Sequence, residues 1–490
     1  MSARIADITK VLKFLVRPQL KIWVKLEVLE ALEELVEGFQ IESLLDTIHG
    51  DYLFSKKETR ELIINYFSDI EILERGNLMG LSDLTRETIQ LNLEIFCRFM
   101  DLKYDSWKVS KKKKLISPGH SIGSFKEVII SNGVPHEYQL AAKRELVNWY
   151  NSDIPSTILF MPTGSGKTRT ANELLVDLLR NGPRKCLWLT NRSELLVQSS
   201  NSFMKLWEEK GDHLVNVKYF FDDCDDWFAP NRDYSEIVYG GFQKLNSRLH
   251  DTQFNFDLVI IDEAHFSLAD TYLPLINRMI RSGVKCLGLT ATPMSSNDDE
   301  FQSIRSFFGT SIDLSRLSNG VYDFNYLQSN RYLAKIEYQH LNIEKVNFRW
   351  DSNRLNGTVL DFVKDIAFRK ENVIIFAINK THALLLVSYL KMNDVSAELI
   401  VGETDLKDRE KYLKLFEDGD LTALVNHEIL ATGVDVPKLN SIMVLRDFGS
   451  ENLSIQVVGR ALRGTLNGGN LKNTVIFPNL EYTFDITKKY

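Results

Sequence analysis

The chain has 490 residues, 44% of them hydrophobic and 26% charged, which suits roughly three domains with ordinary cores and excludes a mainly disordered chain. With 59 basic against 66 acidic residues the formal charge is −7, which excludes a polybasic whole-chain grip on nucleic acid but leaves room for a local basic groove. Cys97, Cys186, Cys224 and Cys286 form no C-x-x-C pair, which disfavours zinc ribbons and iron–sulfur clusters, and no apolar run reaches the about 18 residues needed to span a bilayer. The start, Met1-Ser2-Ala3-Arg4-Ile5, runs into mixed polar text and not into a signal-peptide core, so a cytoplasmic protein in a reducing compartment is expected.

Residues 1–110 read as a mostly helical domain. Leu26, Leu29, Leu32 and Leu35 sit at helical spacing, a second helix is predicted over Ile41 to Ile48, and a third from Lys57 carries Leu62, Ile63 and Phe67 on one face. From Ile70 to Leu81 the alternation around Gly76-Asn77 predicts a hairpin. Three helices and a hairpin would make a winged helix; a helical cap with no nucleic-acid role fits the same pattern equally. Residues 111–127, with Lys111 to Lys114 and then Ser117-Pro118-Gly119, read as a basic linker. Its lysines either repel one another in solvent or meet a phosphate.

From residue 128 short apolar runs alternate with helical stretches. Strands are predicted at Thr157 to Phe160, Cys186 to Leu189, Leu258 to Ile261 and Cys286 to Leu289. Residues 319–340 show no clear period and read as a hinge. A second series follows in residues 341–490, at Val373 to Phe376, Glu398 to Val401, Thr422 to Val425, Ser441 to Leu445 and Thr474 to Phe477. Strands alternating with helices imply parallel sheets, hence two α/β lobes in tandem, 128–318 and 341–490.

Met161-Pro-Thr163-Gly164-Ser165-Gly166-Lys167-Thr168 follows an apolar strand and opens a helix near Arg169, the context a phosphate-binding loop requires. Gly164 and Gly166 let backbone N–H groups turn toward phosphate oxygens, and the helix N-terminus adds partial positive charge. Lys167 can reach the β- and γ-phosphates, and the Thr168 hydroxyl can ligate Mg²⁺. Met161 stands where the strict pattern has its first glycine. Further on, Leu258-Val-Ile-Ile-Asp262-Glu263-Ala-His265 puts two carboxylates at the end of a buried strand, a costly arrangement unless a cation offsets it. Asp262 would hold Mg²⁺ and Glu263 would polarise an attacking water. His265 reads either as a structural histidine or as a coupling residue at the lobe interface.

With Thr290-Ala-Thr292-Pro293 added, the chain resembles the superfamily 2 helicases and translocases over residues 128 to about 480, in their DEAH-box, Res-subunit-like branch. The resemblance implies two tandem RecA-like parallel-sheet lobes and an ATP hydrolase that uses ATP and Mg²⁺. It implies that Tyr138 and Gln139, in Pro135-His136-Glu-Tyr-Gln139, form an adenine-recognition element, Gln139 offering both a donor and an acceptor. It implies backbone contacts to nucleic acid from Thr190, Arg192 and Gln198 in Leu187 to Gln198, from Gly241 in Ile237 to Leu245, and from Thr432 and Gly433. An ordinary strand–helix junction capped by Asn191 or Ser193 accounts for the first of these segments as well. Asp435 and Gln456 would face the nucleotide, and Thr290 and Thr292 would link hydrolysis to strand movement. Arg460 and Arg463, three apart and so one helical turn apart, would enter the interlobe cleft as arginine fingers. The chain departs from the family where His136 replaces a common arginine, Gly241 a common threonine, and Asn426-His427 a threonine-led approach.

The expected function is an ATP-dependent helicase or translocase, on DNA rather than RNA, in restriction, repair or anti-phage defence. A protein partner is expected through residues 1–110. The alternatives are an ATP-switched nucleic-acid-binding scaffold or recruitment subunit that unwinds nothing, and an RNA helicase.

Overall fold

Apolar strands alternating with amphipathic helices build two sheets, joined by a short helical segment and preceded by a helical block. The computed structural model describes residues 2–15, 17–50, 53–81, 83–107, 120–122, 134–227, 233–248, 256–264, 272–291, 299–344, 348–402, 404, 406–427, 436, 438–446, 451–479, 481 and 483–489.

In the N-terminal block, helices cover Ser2–Leu12, Leu26–Leu35, Ile41–His49, Lys57–Ile64, Asp69–Leu78, Arg86–Leu91, Leu93–Phe99 and Tyr104–Trp107. Their apolar faces bury Val28, Leu32, Leu44, Leu45, Ile63, Phe96 and Trp107, together with Phe54 from the turn ahead of Lys57–Ile64. The hairpin expected around Gly76-Asn77 is instead the helix Asp69–Leu78. Ser68 and Glu71 decide this. The Ser68 N–H donates to Glu71 Oε2 at 2.7 Å and the Glu71 N–H to Ser68 Oγ at 3.3 Å, a reciprocal cap that starts a helix. Gly76 is there for space, since a Cβ would lie 2.8 Å from Leu84 Cβ. No strand occurs among the described residues 2–107, so the winged-helix reading is withdrawn and the helical block stands.

The first sheet contains β1 (His120–Ile122), β2 (Ser156–Phe160), β3 (Lys185–Thr190), β4 (Val215–Phe221), β5 (Cys224–Asp225), β6 (Ser235–Gly241), β7 (Leu258–Ile261), β8 (Lys285–Thr290) and β9 (Ser311–Asp313). Its order is β1-β4-β6-β3-β7-β8-β2-β9, with β5 paired to β4. The pairings from β4 through β9 along this path are parallel, whereas β1 pairs antiparallel with β4. Three residues of the segment read as a linker therefore close one edge of this sheet. The second sheet contains β10 (Lys335–His340), β11 (Val373–Phe376), β12 (Ala397–Ile400), β13 (Ala423–Asn426), β14 (Ser441–Val444) and β15 (Lys472–Phe477), all parallel in the order β10-β15-β14-β11-β13-β12. It begins inside the segment read as a hinge. β10 is an edge strand with no buried face, so it lacks the apolar run that marks a central strand.

The N-terminal block docks on the second lobe, although the first lobe follows it in sequence. Helices Leu26–Leu35 and Ile41–His49 pack on Lys380–Met392, the helix that follows β11. Lys25 Nζ donates to Thr381 Oγ1 at 2.9 Å, and Leu29, Leu45, Leu385, Leu386 and Val425 belong to one continuous core. No helix among the described residues is long and apolar enough to cross a membrane.

Candidate active site

The site forms at the C-terminal ends of β2 and β7, where parallel strands leave backbone groups and loops free for ligands. After β2, Ser165 closes a turn by donating its N–H and Oγ–H to the Pro162 carbonyl at 3.1 and 2.6 Å. Gly164 (φ 80°) and Gly166 (φ 86°) adopt the left-handed conformation that this loop needs. Gly166 then caps the helix Lys167–Arg180.

Two neighbours fix the loop from below. Tyr138 donates its hydroxyl to the Ser165 carbonyl at 2.7 Å, and Gln139 Nε2 donates to the same oxygen at 3.1 Å. The His136 N–H in turn holds Gln139 Oε1 at 3.0 Å. A trans peptide points its carbonyl and the next N–H in opposite directions. Pinning the Ser165 carbonyl therefore turns the Gly166 N–H away from Tyr138. Tyr138 is wholly buried, and that burial pushes its hydroxyl well above the usual phenol range. Its ring offers no exposed face to an adenine, so here Tyr138 positions the loop.

Lys167 Nζ lies 3.8 Å from Asp262 Oδ1 and 3.8 Å from Glu263 Oε1. Asp262 is 3% exposed at the end of β7, where its N–H donates to the Leu189 carbonyl at 2.9 Å. Burial pushes its carboxyl up to about 6; Lys167 pulls against this and Glu263 adds to it. Glu263 has φ 52°, a left-handed conformation unusual for a residue with a side chain, and its N–H donates to Asp262 Oδ1 at 3.0 Å. One lysine facing two carboxylates leaves the site electronegative, which suits a divalent cation. Thr168 is half-buried on the first turn of the helix. Thr290 is buried at the end of β8, beside Phe160 in the sheet register.

The second lobe reaches this loop through residues 459–467. The expected helical pairing of Arg460 and Arg463 is corrected. The helix Glu451–Gly459 ends, Arg460–Leu462 forms a 3-10 turn, and Arg463 is extended at φ −64°, ψ 118°. An antiparallel bridge between Arg463 and Leu333, with the Ala334 N–H donating to the Leu462 carbonyl at 2.7 Å, draws this segment out of the helix. The Arg463 backbone then lies against the phosphate loop: a Cβ on Gly164 would meet Arg463 N and Cα at 3.3 Å. Gly459 approaches Thr163 more closely still, a Cβ there meeting Thr163 Cβ at 2.8 Å, and Gln456 is half-buried on the same helix, Glu451–Gly459.

The candidate nucleic-acid residues divide. Thr190 and Gly241 stand side by side in register at the ends of β3 and β6. Thr190 is fully buried and its hydroxyl has no hydrogen-bond partner in this structure. A Cβ on Gly241 would meet Phe221 Cβ at 3.3 Å, so the glycine serves sheet packing. Arg192, half-buried, immediately precedes the helix Ser193–Lys210, and Gln198 is half-buried on it. His265, Thr292, Thr432, Gly433 and Asp435 lie outside the described residues. Sequence reasoning missed Tyr332 and Asn467. Tyr332 packs its ring 4.5 Å from His136 and 4.9 Å from Tyr138. The aperiodic run holding Tyr322, Tyr326 and Tyr332 was the signal available.

Residues 132–295 match the family described as "Type III restriction enzyme, res subunit", and residues 358–465 match "Helicase conserved C-terminal domain". IRC3 of Saccharomyces cerevisiae, named as an ATP-dependent helicase, is 25% identical over 353 residues, covering 67% of this chain and 49% of its own length. A protein of a Sulfolobus islandicus filamentous virus, named as helicase 22, is 25% identical over 419 residues, covering 78% of this chain and 71% of its own. The chain thus spans about half the length of IRC3. Among solved structures, the ATP-dependent Type ISP restriction-modification enzyme LlaBIII bound to DNA aligns with a TM-score of 0.55 at 18% identity, covering 72% of this chain and 28% of that one. The DUF1998 helicase MrfA bound to DNA aligns at 0.52 and 17%, covering 73% and 50%. These structural likenesses establish the tandem-lobe fold.

Proposed function

Because the chain belongs to the superfamily 2 helicases, in their Res-subunit-like branch, we propose that it is an ATP-dependent motor that couples hydrolysis between its lobes to movement along nucleic acid. The observation that carries this reading is the convergence of Lys167, Asp262 and Glu263 beneath a loop that the second lobe already touches. Backbone N–H groups of Gly166, Lys167 and Thr168 bind the phosphates, the Ser165 N–H being held by the Pro162 carbonyl, and Lys167 neutralises the β- and γ-oxygens. Thr168 and Asp262 would hold Mg²⁺, which when bound supplies positive charge to the same oxygens. Glu263 orients the attacking water and accepts its proton at a carboxylate oxygen. Arg460 and Arg463 arrive from the second lobe and stabilise the charge that develops in transfer.

DNA is the favoured track. The support is the res-subunit match, together with a relative named as the Type I restriction enzyme EcoAI endonuclease subunit of Escherichia coli, 22% identical over 388 residues. Restriction, repair or anti-phage defence is the setting this suggests. Arg192 and Gln198 on the first lobe, with Thr432 and Gly433 on the second, would hold the backbone. Asp435 and Gln456 would face the nucleotide, and His265 would couple it to the lobe interface. A protein partner at the N-terminal block is supported by Ile70, Leu73 and Leu78, which leave one helix broadly exposed to solvent. The test is nucleotide turnover with single-stranded DNA, duplex DNA and RNA in parallel. Stimulation by DNA, abolished in Lys167→Ala, is the expected result. No stimulation by any of the three defeats the motor reading in favour of the ATP-switched scaffold, and stimulation by RNA alone reassigns the track.

A further inference from the structure

Asn467 ends the 3-10 turn Thr465–Asn467, four residues past Arg463, and the reading above gives it no role. Its half-buried side chain is the meeting point of three segments. The His136 Nε2–H donates to Asn467 Oδ1 at 3.1 Å. Asn467 Nδ2 donates to the Gly164 carbonyl at 3.1 Å and to the Tyr332 carbonyl at 2.8 Å, and it lies 3.4 Å from the Tyr138 hydroxyl. One side chain of the second lobe thereby engages the phosphate loop, the segment ahead of it and the connection between the lobes. Two backbone bonds hold the same register: the Gly464 N–H donates to the Tyr332 carbonyl at 3.1 Å and the Leu466 N–H to the Arg331 carbonyl at 3.2 Å.

We propose that Asn467 is a positioning residue that registers the second lobe against the phosphate loop. The peptide geometry gives the reason. The Gly164 carbonyl, turned toward Asn467, sends the Ser165 N–H the opposite way, where it meets Pro162. The next carbonyl, Ser165, is held by Tyr138 and Gln139 from the first lobe. Two successive peptide planes of the loop are therefore fixed from opposite lobes, one by Asn467 and one by Tyr138 with Gln139. The Asn467 bond and the close approach of the Arg463 backbone to Gly164 are present together. Asn467 acts through the loop and touches no reacting atom. An amide is required, because a carboxylate would accept from His136 but face the Gly164 and Tyr332 carbonyls without a donor.

This rests on the ATPase reading, and the experiment separates the two. Turnover, nucleotide affinity by a fluorescent ATP analogue, and the urea midpoint are measured for wild type, Lys167→Ala, Asn467→Ala and Asn467→Asp. Wild type that turns over while Lys167→Ala does not upholds the motor reading. In that background both Asn467 variants are expected to lose kcat by about tenfold, with KM changed less than about threefold and the urea midpoint preserved. Asn467→Asp should be no better than Asn467→Ala. Unchanged kcat, or a loss matched by a lower midpoint, overturns the proposal and leaves the motor reading intact. Wild type without turnover defeats both.

Discussion

At the scale of single residues, the site is organised by backbone carbonyls as much as by charged side chains. Gly166 shows how little room the loop allows. It combines φ 86° with a neighbour, Gln139 Nε2, that would lie 2.3 Å from an added Cβ. Any other residue there would strain the backbone and displace the amide that holds Ser165. Tyr138 offers a subtler probe. Tyr138→Phe keeps the buried ring and removes only the hydroxyl that holds the Ser165 carbonyl. One such bond is worth roughly 1 kcal/mol, so nucleotide affinity should fall by about fivefold with the urea midpoint nearly unchanged. Titration with a fluorescent ATP analogue reads this. An unaltered Kd would mean that Gln139 alone fixes the loop.

At the scale of elements, the first sheet carries an ion pair far from the site. Lys185 and Glu236 are partners in register at the starts of β3 and β6, 1% and 0% exposed, with Lys185 Nζ 3.2 Å from Glu236 Oε2. Lys218 approaches the same carboxylate. Removing one member of a buried pair leaves an uncompensated charge, at about 3–5 kcal/mol. Glu236→Ala should lower stability by that order in urea unfolding, and Lys185→Met with Glu236→Leu should recover a large part. A Glu236→Ala variant within about 0.5 kcal/mol of wild type would show that the lysine escapes to water. Neither the pair nor β4 and β6 was anticipated as strands from periodicity. The strand predicted there started at Cys186 and left Lys185 out; only its neighbour across the ladder, Glu236, explains its burial.

At the scale of the whole molecule, the helical block and the second lobe share one core, so they move together if the lobes separate. Two histidines lie on the helices that join them. His382 is fully buried in the helix Lys380–Met392; it accepts from the Ile378 N–H at Nδ1 and donates to Asn356 Oδ1 at 3.0 Å from Nε2. Burial lowers it to about 3. His49 is lowered to about 4, again chiefly by burial. Both are neutral in the fold and take protons near 6.5 when unfolded. Below pH 6.5 the unfolded chain therefore binds more protons, and stability falls as the solution is acidified. Each histidine contributes a slope of up to about 1.4 kcal/mol per pH unit. Asp262 runs the other way: its folded carboxyl, raised to about 6, takes a proton before the unfolded one does and gains stability as pH falls through that value. Two histidines against one carboxyl leave a net loss. Urea midpoints should drop between pH 7 and pH 5. A flat profile would show that the histidines are hydrated or already charged in the fold.

The strands β2, β3, β7, β8 and β11 to β15, the phosphate loop and the Asp262-Glu263 pair were legible in the sequence. Buried parallel strands read as apolar runs, and phosphate chemistry restricts residue types over a few consecutive positions. The helices at Leu26, Ile41 and Lys57 were legible for the same local reason, their spacing. The edge strands β1 and β10 were not, because strands without two apolar faces carry no such run. The hairpin reading of residues 70–81 failed because a Gly-Asn pair outweighed the Ser68–Glu71 cap, a local signal that was present but unread. What only the tertiary structure decided is what depends on residues distant in sequence: the burial of Thr190, the separate footing of Arg460 and Arg463, the docking of the N-terminal helices on the second lobe, and the place of Asn467. Asn467 meets His136 across 331 positions and Gly164 across 303. No local pattern encodes such contacts, since they exist only when packing brings the two lobes to the same loop.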